Sequence, residues 1–151
     1  MKRFRWGVAI VAALLAPATG AWAQPSAPPA GRIKVASGSA FVVRQGQAIP
    51  AQVGQLVYEG DGLRTGADGR VGVTMNDDTR VSVAPGSEIR LDQFLYAPAE
   101  GRLGFALAIV RGIVAYVSGR IAKISPDSIR LETPSATVGV RGTRLAIRVL
   151  P

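Results

Sequence analysis

The sequence predicts an all-β domain, and three observations predict it. Apolar residues recur at every second position in short runs, those runs are rich in valine and isoleucine, and glycine or Asn-Asp clusters punctuate them at regular intervals. Period two places one set of side chains on one face of an extended strand, whereas an amphipathic helix repeats near every 3.6 residues. After the first two dozen residues, no stretch combines that helical period with capping residues.

Of the 151 residues, 18 are basic and 10 acidic, for a net charge of +8. Residues 1–23 read as a cleavable secretory signal. Lys2, Arg3 and Arg5 open it, Val8 to Ala16 is an apolar run, Pro17 and Gly20 break the helix, and Ala21-Trp22-Ala23 supplies a small–x–small cleavage site. The apolar run is about half of the ~20 residues that a bilayer span needs. The expectation is therefore export, with no membrane span after cleavage. No cysteine stands at the cleavage point, so no lipid anchor is expected there. Cleavage before Gln24 would leave fifteen basic against ten acidic residues, a net +5. Residues 24–32, beginning QPSAPPAG, are rich in proline, alanine and serine and read as an extended linker.

The domain is expected over 33–151. Its strand signals are Val71/Val73/Met75, Val81/Val83, Ile89/Leu91, Leu107/Ile109, Val114/Tyr116, Ile129/Leu131, Val138/Val140 and Leu145/Ile147/Val149. The most apolar stretch, Leu103 to Ile124, is interrupted by Arg111, Arg120 and Lys123. Gly104, Gly112 and Gly119 would each cost a helix about 1 kcal/mol relative to alanine. It reads as two buried strands parted near Arg111-Gly112. Ala67-Asp68-Gly69 suits a tight hairpin, Asn76 to Thr79 a polar turn, and Pro85-Gly86-Ser87 a strand stop. Strand starts at regular spacing fit a sandwich or a short solenoid of stacked strands.

The glycine-rich stretch GDGLRTGADGR (Gly60 to Arg70) raises the question of a phosphate loop. Gly60 and Gly62 are followed by Gly66, one residue too far for the dinucleotide pattern, and a strand rather than a helix comes next. No Gly-Lys-Ser/Thr follows either. These glycines read as corners, and no cofactor is expected. Histidine and cysteine are absent. A Ser-His-Asp or Cys-His nucleophile and the usual zinc site therefore cannot be assembled. Asn76-Asp77-Asp78 gathers oxygen ligands, but without the remaining spacing of a calcium loop. No catalytic and no metal-binding residues are assigned.

Five ordered blocks resemble the FecR domain family. Gly54 to Gly66 resembles its opening G-x-x-L-x-x-GD-x-hydrophobic-x-T pattern, through Gly60, Asp61, Thr65 and Gly66. Gly69 to Thr79 is similar to its G-R strand and Asp-Gly-Thr turn, with Asp78 where the pattern has glycine. Pro85 to Leu91 matches the P-x-S-x-hydrophobic piece, and Arg111 to Val114 the central strand. Thr133-Pro134-Ser135-Ala136-Thr137-Val138-Gly139-Val140-Arg141-Gly142-Thr143 resembles the terminal TP-x-A-x-x-G-V-R-G-T signature. The resemblance implies a periplasmic, β-rich domain. In the iron-citrate regulator that names the family, the domain relays a signal from an outer-membrane transducer toward a cytoplasmic sigma factor. That relay needs a span and a cytoplasmic portion ahead of the domain, whereas a stand-alone domain behind a signal is the expectation here.

Asp61, flanked by glycines, is expected to lock its turn by accepting backbone N–H groups, with Arg64 beside it in the same motif. Arg141 is expected to anchor a turn, pairing with an acid such as Asp61. Arg70, Arg80 and Arg90 belong to a series continuing through Arg102, Arg111, Arg120, Arg130 and Arg141 at steps of about ten. Stacked as rungs, they would form a positive stripe for an anionic partner. The reading is a non-enzymatic signalling or scaffold module of the cell envelope that binds a protein. The alternative is a module binding an anionic envelope glycan, either peptidoglycan or lipopolysaccharide. Nucleic acid is not an expected partner, because export removes it and aromatics do not interleave with the basic residues.

Overall fold

The alternating runs become strands wherever one face can be buried. The computed structural model describes residues 27–151; the signal segment and the start of the linker lie outside the described residues. The first strand, β1 (Gly31–Ser37), starts two residues before Ile33. Ala30 is already buried beside it and exchanges backbone hydrogen bonds with Val57 and Asn76. There follow β2 (Ala40–Arg44), β3 (Gln47–Pro50), β4 (Leu56–Val57), β5 (Gly62–Thr65), β6 (Arg70–Met75), β7 (Arg80–Val83) and β8 (Glu88–Ala97). The sixteen-residue β9 (Arg102–Val117) comes next. A short helix α1 (Arg120–Ile124) and the strands β10 (Ile129–Glu132), β11 (Thr137–Gly139) and β12 (Arg144–Val149) complete the chain.

The strands form one curled, mostly antiparallel sheet in the order β3-β2-β5-β8-β9-β7-β6-β1-β4. β10 and β12 pair with the other edge of β9, and only the β9–β10 pairing is parallel. The all-β expectation holds. A rung-on-rung solenoid does not describe it, because neighbouring strands in the sheet run mostly antiparallel and in an order that departs from that of the chain.

The sheet is creased into two layers. The back layer holds β3, β2, β5, β8, the first half of β9, β10 and β11; the front layer holds β4, β1, β6, β7, the second half of β9 and β12. Inward side chains of both layers meet in one core, among them Val71, Val73, Val81, Val83, Leu63, Ile89, Leu91 and Leu107. Fully burying such a side chain is worth about 1.5–3 kcal/mol. Phe105 and Tyr116, both on β9, lie at its centre with ring centroids 5.8 Å apart, and Phe94 meets Phe105 edge-on at 6.2 Å.

Among the places where the chain passes between the layers are Gly38-Ser39, Gly66 to Gly69, Ala84 to Ser87, and Gly112 within β9. Leu103 to Val117 is thus one strand, not two. The expected break at Arg111-Gly112 is a bend at which the strand changes layers, marked by a register shift against β8. Ala67-Asp68-Gly69 is likewise not a hairpin: β5 pairs with β2 and β8, β6 pairs with β1 and β7, and the segment carries the chain between layers. Gly69 is needed for space rather than for positive φ, since a Cβ there would lie 2.0 Å from the Ser39 carbonyl oxygen. Gly112 needs both, with φ +87° and a would-be Cβ 2.1 Å from Ser87 Oγ.

Candidate functional site

The crease is stitched by the residues of the first signature. The Gly66 N–H donates to the Ser39 carbonyl at 2.7 Å, and the Gly86 N–H to the Gly66 carbonyl at 2.9 Å. Buried Thr65 donates its hydroxyl to the Ala84 carbonyl at 2.7 Å and accepts the Ser87 N–H at 3.0 Å. Ser87 Oγ then accepts the Ile113 N–H at 2.9 Å, extending the seam into β9. Each bond satisfies a backbone group that bending takes out of the ladder. Arg64, on β5, reaches Glu88 of β8 at 3.3 Å, and Glu88 also meets Arg111 at 3.5 Å.

Asp61 is 3% exposed, and its partner is Arg44 rather than Arg141. Arg44 Nε donates to Oδ1 at 2.9 Å and Nη2 to Oδ2 at 2.8 Å, while the Tyr58 N–H adds a third bond at 2.9 Å. The hydrogen bonds to Asp61 hold the Arg44 guanidinium above its ordinary pKa, and the same guanidinium lies 4.8 Å from the Tyr58 ring centroid. Gly60 forms the corner beside it at φ +90°. The expected Arg141 pairing fails because the end of β2 already delivers a cation to Asp61. No local sequence signal marks Arg44 for this, as the pairing spans two strands.

Asp77 is fully buried. It accepts the Thr79 N–H at 3.1 Å and the Thr79 hydroxyl at 2.7 Å, and at 3.2 Å the N–H of Ile121 in α1. The turn thereby ties the β6–β7 hairpin to the segment after β9, and Gly119 packs so closely that a Cβ would lie 2.3 Å from the Thr79 nitrogen. Asp78 adopts φ +68°, the left-handed position for which glycine is the usual choice, and its exposed carboxylate faces Arg120 at 3.1 Å. Asp77 and Asp78 thus point apart and do not form a paired-acid site. Among the described residues, no group of three or more acids gathers as a metal site would require.

The terminal signature makes a second turn and a loop. Thr133 Oγ1 accepts the Ala136 N–H at 3.1 Å, closing the Thr133-Pro134-Ser135-Ala136 turn between β10 and β11. Arg141, Gly142 and Thr143 link β11 to β12. The Gly142 and Thr143 carbonyls accept the Ser118 hydroxyl and N–H at 2.5 and 2.9 Å. Exposed Arg141 lines an open depression of about 500 Å³ with Lys123 and Asp127, but has no carboxylate within ion-pairing distance among the described residues.

The arginine series does not form one stripe. Arg90 pairs with Asp92, Arg102 with Glu100, Arg111 with Glu88 and Arg120 with Asp78. Arg70 and Arg80 stand instead on the outer face of the front layer, together with Arg32, Arg144 and Arg148, three residues that the series did not include. The strict alternation of Arg144-Leu145-Ala146-Ile147-Arg148 was the available signal for the last two.

The result is a creased two-layer β domain whose signature turns serve its own backbone, and whose outer face carries arginines that have no carboxylate within ion-pairing distance among the described residues. The chain belongs to the FecR family: the family model described as FecR protein matches residues 61–150, more than half of the chain. Compared with curated proteins and with solved structures, the chain gave no match. No helix among the described residues is long and apolar enough to cross a membrane.

Proposed function

We propose that this protein is an exported, non-enzymatic FecR-domain module that works in the periplasm by binding a protein partner, as a signalling or scaffold component of the envelope. The observation that carries the reading is where the polar residues go. Asp61, Asp77, Thr65 and Ser87 are buried and spent on the protein's own turns. What remains for another molecule includes an open β surface and free strand edges, among them the outer edge of β12, which among the described residues pairs only with β9. An unpaired strand edge can accept a further strand, and exposed arginines are frequent anchors of protein contacts. FecR membership supports a signalling-related role. The test is photo-crosslinking in living cells from exposed positions on β12 and on the front layer, with the exposed β3 residue Gln47 as control. A defined envelope protein, crosslinked from the front layer but not from Gln47, is expected; recovery of none from any position would refute the reading. Fusion of residues 1–32 to a reporter active only outside the cytoplasm checks export.

The depression beside Arg141 and Lys123 favours a second reading, an anionic envelope glycan as ligand. Co-sedimentation with peptidoglycan that disappears as salt is raised would support it, because screening weakens exposed charge contacts.

A further inference from the structure

Strand register sorts the outer face of the front layer into three rows that run across the strands. One row reads Arg32, Thr74, Arg80, Val117 and Arg144. The next reads Val35, Gly72, Ser82, Ala115 and Ala146. In the third, Arg70 pairs with Ser37 on β1 and Arg148 with Ile113 on β9. The two arginine rows are four residues apart along β6, β9 and β12, and five along β1 where a bulge intervenes, or about 13 Å at ~3.3 Å per residue. Between them the floor is made of glycine, serine and alanine, with Val35 exposed by 52% at one end. A shallow depression of about 270 Å³ lies along it, touching Val35, Arg70, Gly72, Ser82, Ile113 and Ala115.

The charge on this face is unbalanced in a way seen at few other arginines. Arg44, Arg64, Arg90, Arg102, Arg111 and Arg120 each have a carboxylate within 4 Å, whereas none of Arg32, Arg70, Arg80, Arg144 and Arg148 does among the described residues. No strand position in the three rows is acidic. Five like charges held on one rigid sheet repel one another, and an anionic occupant relieves that repulsion.

We propose that this arginine-rimmed trough binds an extended, acidic segment of a partner protein, laid across the strands of the front layer with its backbone over Gly72, Ser82, Ala115 and Ala146. The proposal rests on the protein-binding reading above and names the partner's chemistry. Small floor residues let a main chain approach closely, and the two rows meet carboxylates projecting to either side of an extended chain. A sugar would want an aromatic ring to stack on, and the rows contain none. A bilayer would want protruding apolar side chains, but here the apolar floor is recessed between long cationic ones.

The test uses protein purified after expression from the full chain and a dye-labelled (Glu-Ala)8 peptide, read by fluorescence anisotropy. Two variants address the trough. The triple reversal Arg80→Glu/Arg144→Glu/Arg148→Glu removes the rim, and Ser82→Trp fills the floor without changing charge, with Ala115→Trp as a second filling variant. The triple reversal Arg90→Glu/Arg102→Glu/Arg130→Glu changes net charge equally at exposed positions of the back layer, outside both the trough and the depression beside Arg141. Circular dichroism and urea midpoints establish that each variant is folded. Both kinds of trough variant are expected to weaken the peptide at least ten-fold, and the remote reversal less than two-fold. Equal loss in the remote variant would mean diffuse attraction and overturn the proposal, as would wild-type affinity in the filled variants. Vesicles of phosphatidylcholine and phosphatidylglycerol (7:3) that displace the peptide through the same arginines would also overturn it, in favour of a lipid surface. A protein that ignores the peptide yet is crosslinked to a defined partner in cells through another face would refute the trough and leave the protein-binding reading standing.

Discussion

Three glycines separate the two physical demands of the crease. Gly112 has φ +87°, and a Cβ on it would lie 2.1 Å from Ser87 Oγ and 2.6 Å from Ser87 Cα. Gly46 has φ +78° with nothing within 4 Å. Gly69 has no positive φ, but its Cβ would lie 2.0 Å from the Ser39 carbonyl oxygen. An L-residue in the left-handed region costs about 1–2 kcal/mol, and forcing an extra carbon into packed surroundings about 1–3 kcal/mol. Gly46→Ala should therefore cost about 1 kcal/mol and Gly69→Ala about 2 kcal/mol. Gly112→Ala should cost about 3–5 kcal/mol, because it meets both penalties and displaces the Ser87 hydroxyl that accepts the Ile113 N–H. Urea unfolding followed by far-ultraviolet circular dichroism measures all three, provided the m-values agree. If Gly112→Ala falls within 0.5 kcal/mol of Gly46→Ala (about the usual effect of a surface substitution), the crease contact contributes nothing and the reasoning is wrong.

Other perturbations probe the buried polar groups. Asp77→Ala should cost about 3 kcal/mol, since it strips the acceptor from Thr79 and Ile121, and hydrogen exchange should show α1 opening first. Arg44→Met should cost about 3–5 kcal/mol by leaving Asp61 buried without its cation. Arg44→Met/Asp61→Leu should recover most of that in a double-mutant cycle, and no recovery would mean that Asp61 acts through Tyr58 alone. Tyr116 Oη is buried and makes no hydrogen bond, so Tyr116→Phe should be neutral or stabilising by up to about 1 kcal/mol. Burial pushes the Tyr116 phenol pKa up; the Ser118 and Thr79 hydroxyls pull the other way, but neither bonds to it within hydrogen-bond geometry. Because the folded pKa lies above the unfolded one, this contribution is whole below pH ~10 and is lost as pH rises beyond it. Alkaline unfolding should therefore begin later in Tyr116→Phe, and an unchanged onset would count against a buried neutral phenol.

Strand positions and turn positions were legible because both are local. Val71/Val73/Met75 and Val81/Val83 alternate by themselves, and Asn76 to Thr79 turns by itself. Long-range geometry left no such mark. Gly69 and Gly112 look alike in a sequence, although one yields space to Ser39 and the other also adopts a left-handed φ. The hairpin reading of Ala67-Asp68-Gly69 missed that its flanking strands find partners in different layers. Asp61 announced itself as a turn-locking carboxylate, but its cation comes from Arg44, seventeen residues earlier, through a strand pairing that no short pattern encodes. The even spacing of the arginines suggested rungs, yet the fold scatters them: Arg90, Arg102, Arg111 and Arg120 pair with acids, Arg130 and Arg141 stand apart on β10 and the loop after β11, and only Arg70 and Arg80 share the front face.

That β9 belongs to both layers sets the order in which this molecule can be completed. β7, β8, β10 and β12 all pair directly with it, so until residues 102–117 have been made, neither layer has its middle. A chain threaded from its N-terminus stays open through most of its length and closes late, around contacts distant in sequence, which is the slow kind of folding. For a polypeptide exported as proposed, that lateness keeps the chain threadable during translocation. It also leaves valine-rich edges uncovered in the meantime, so a holding factor should matter more to its yield than to its final stability.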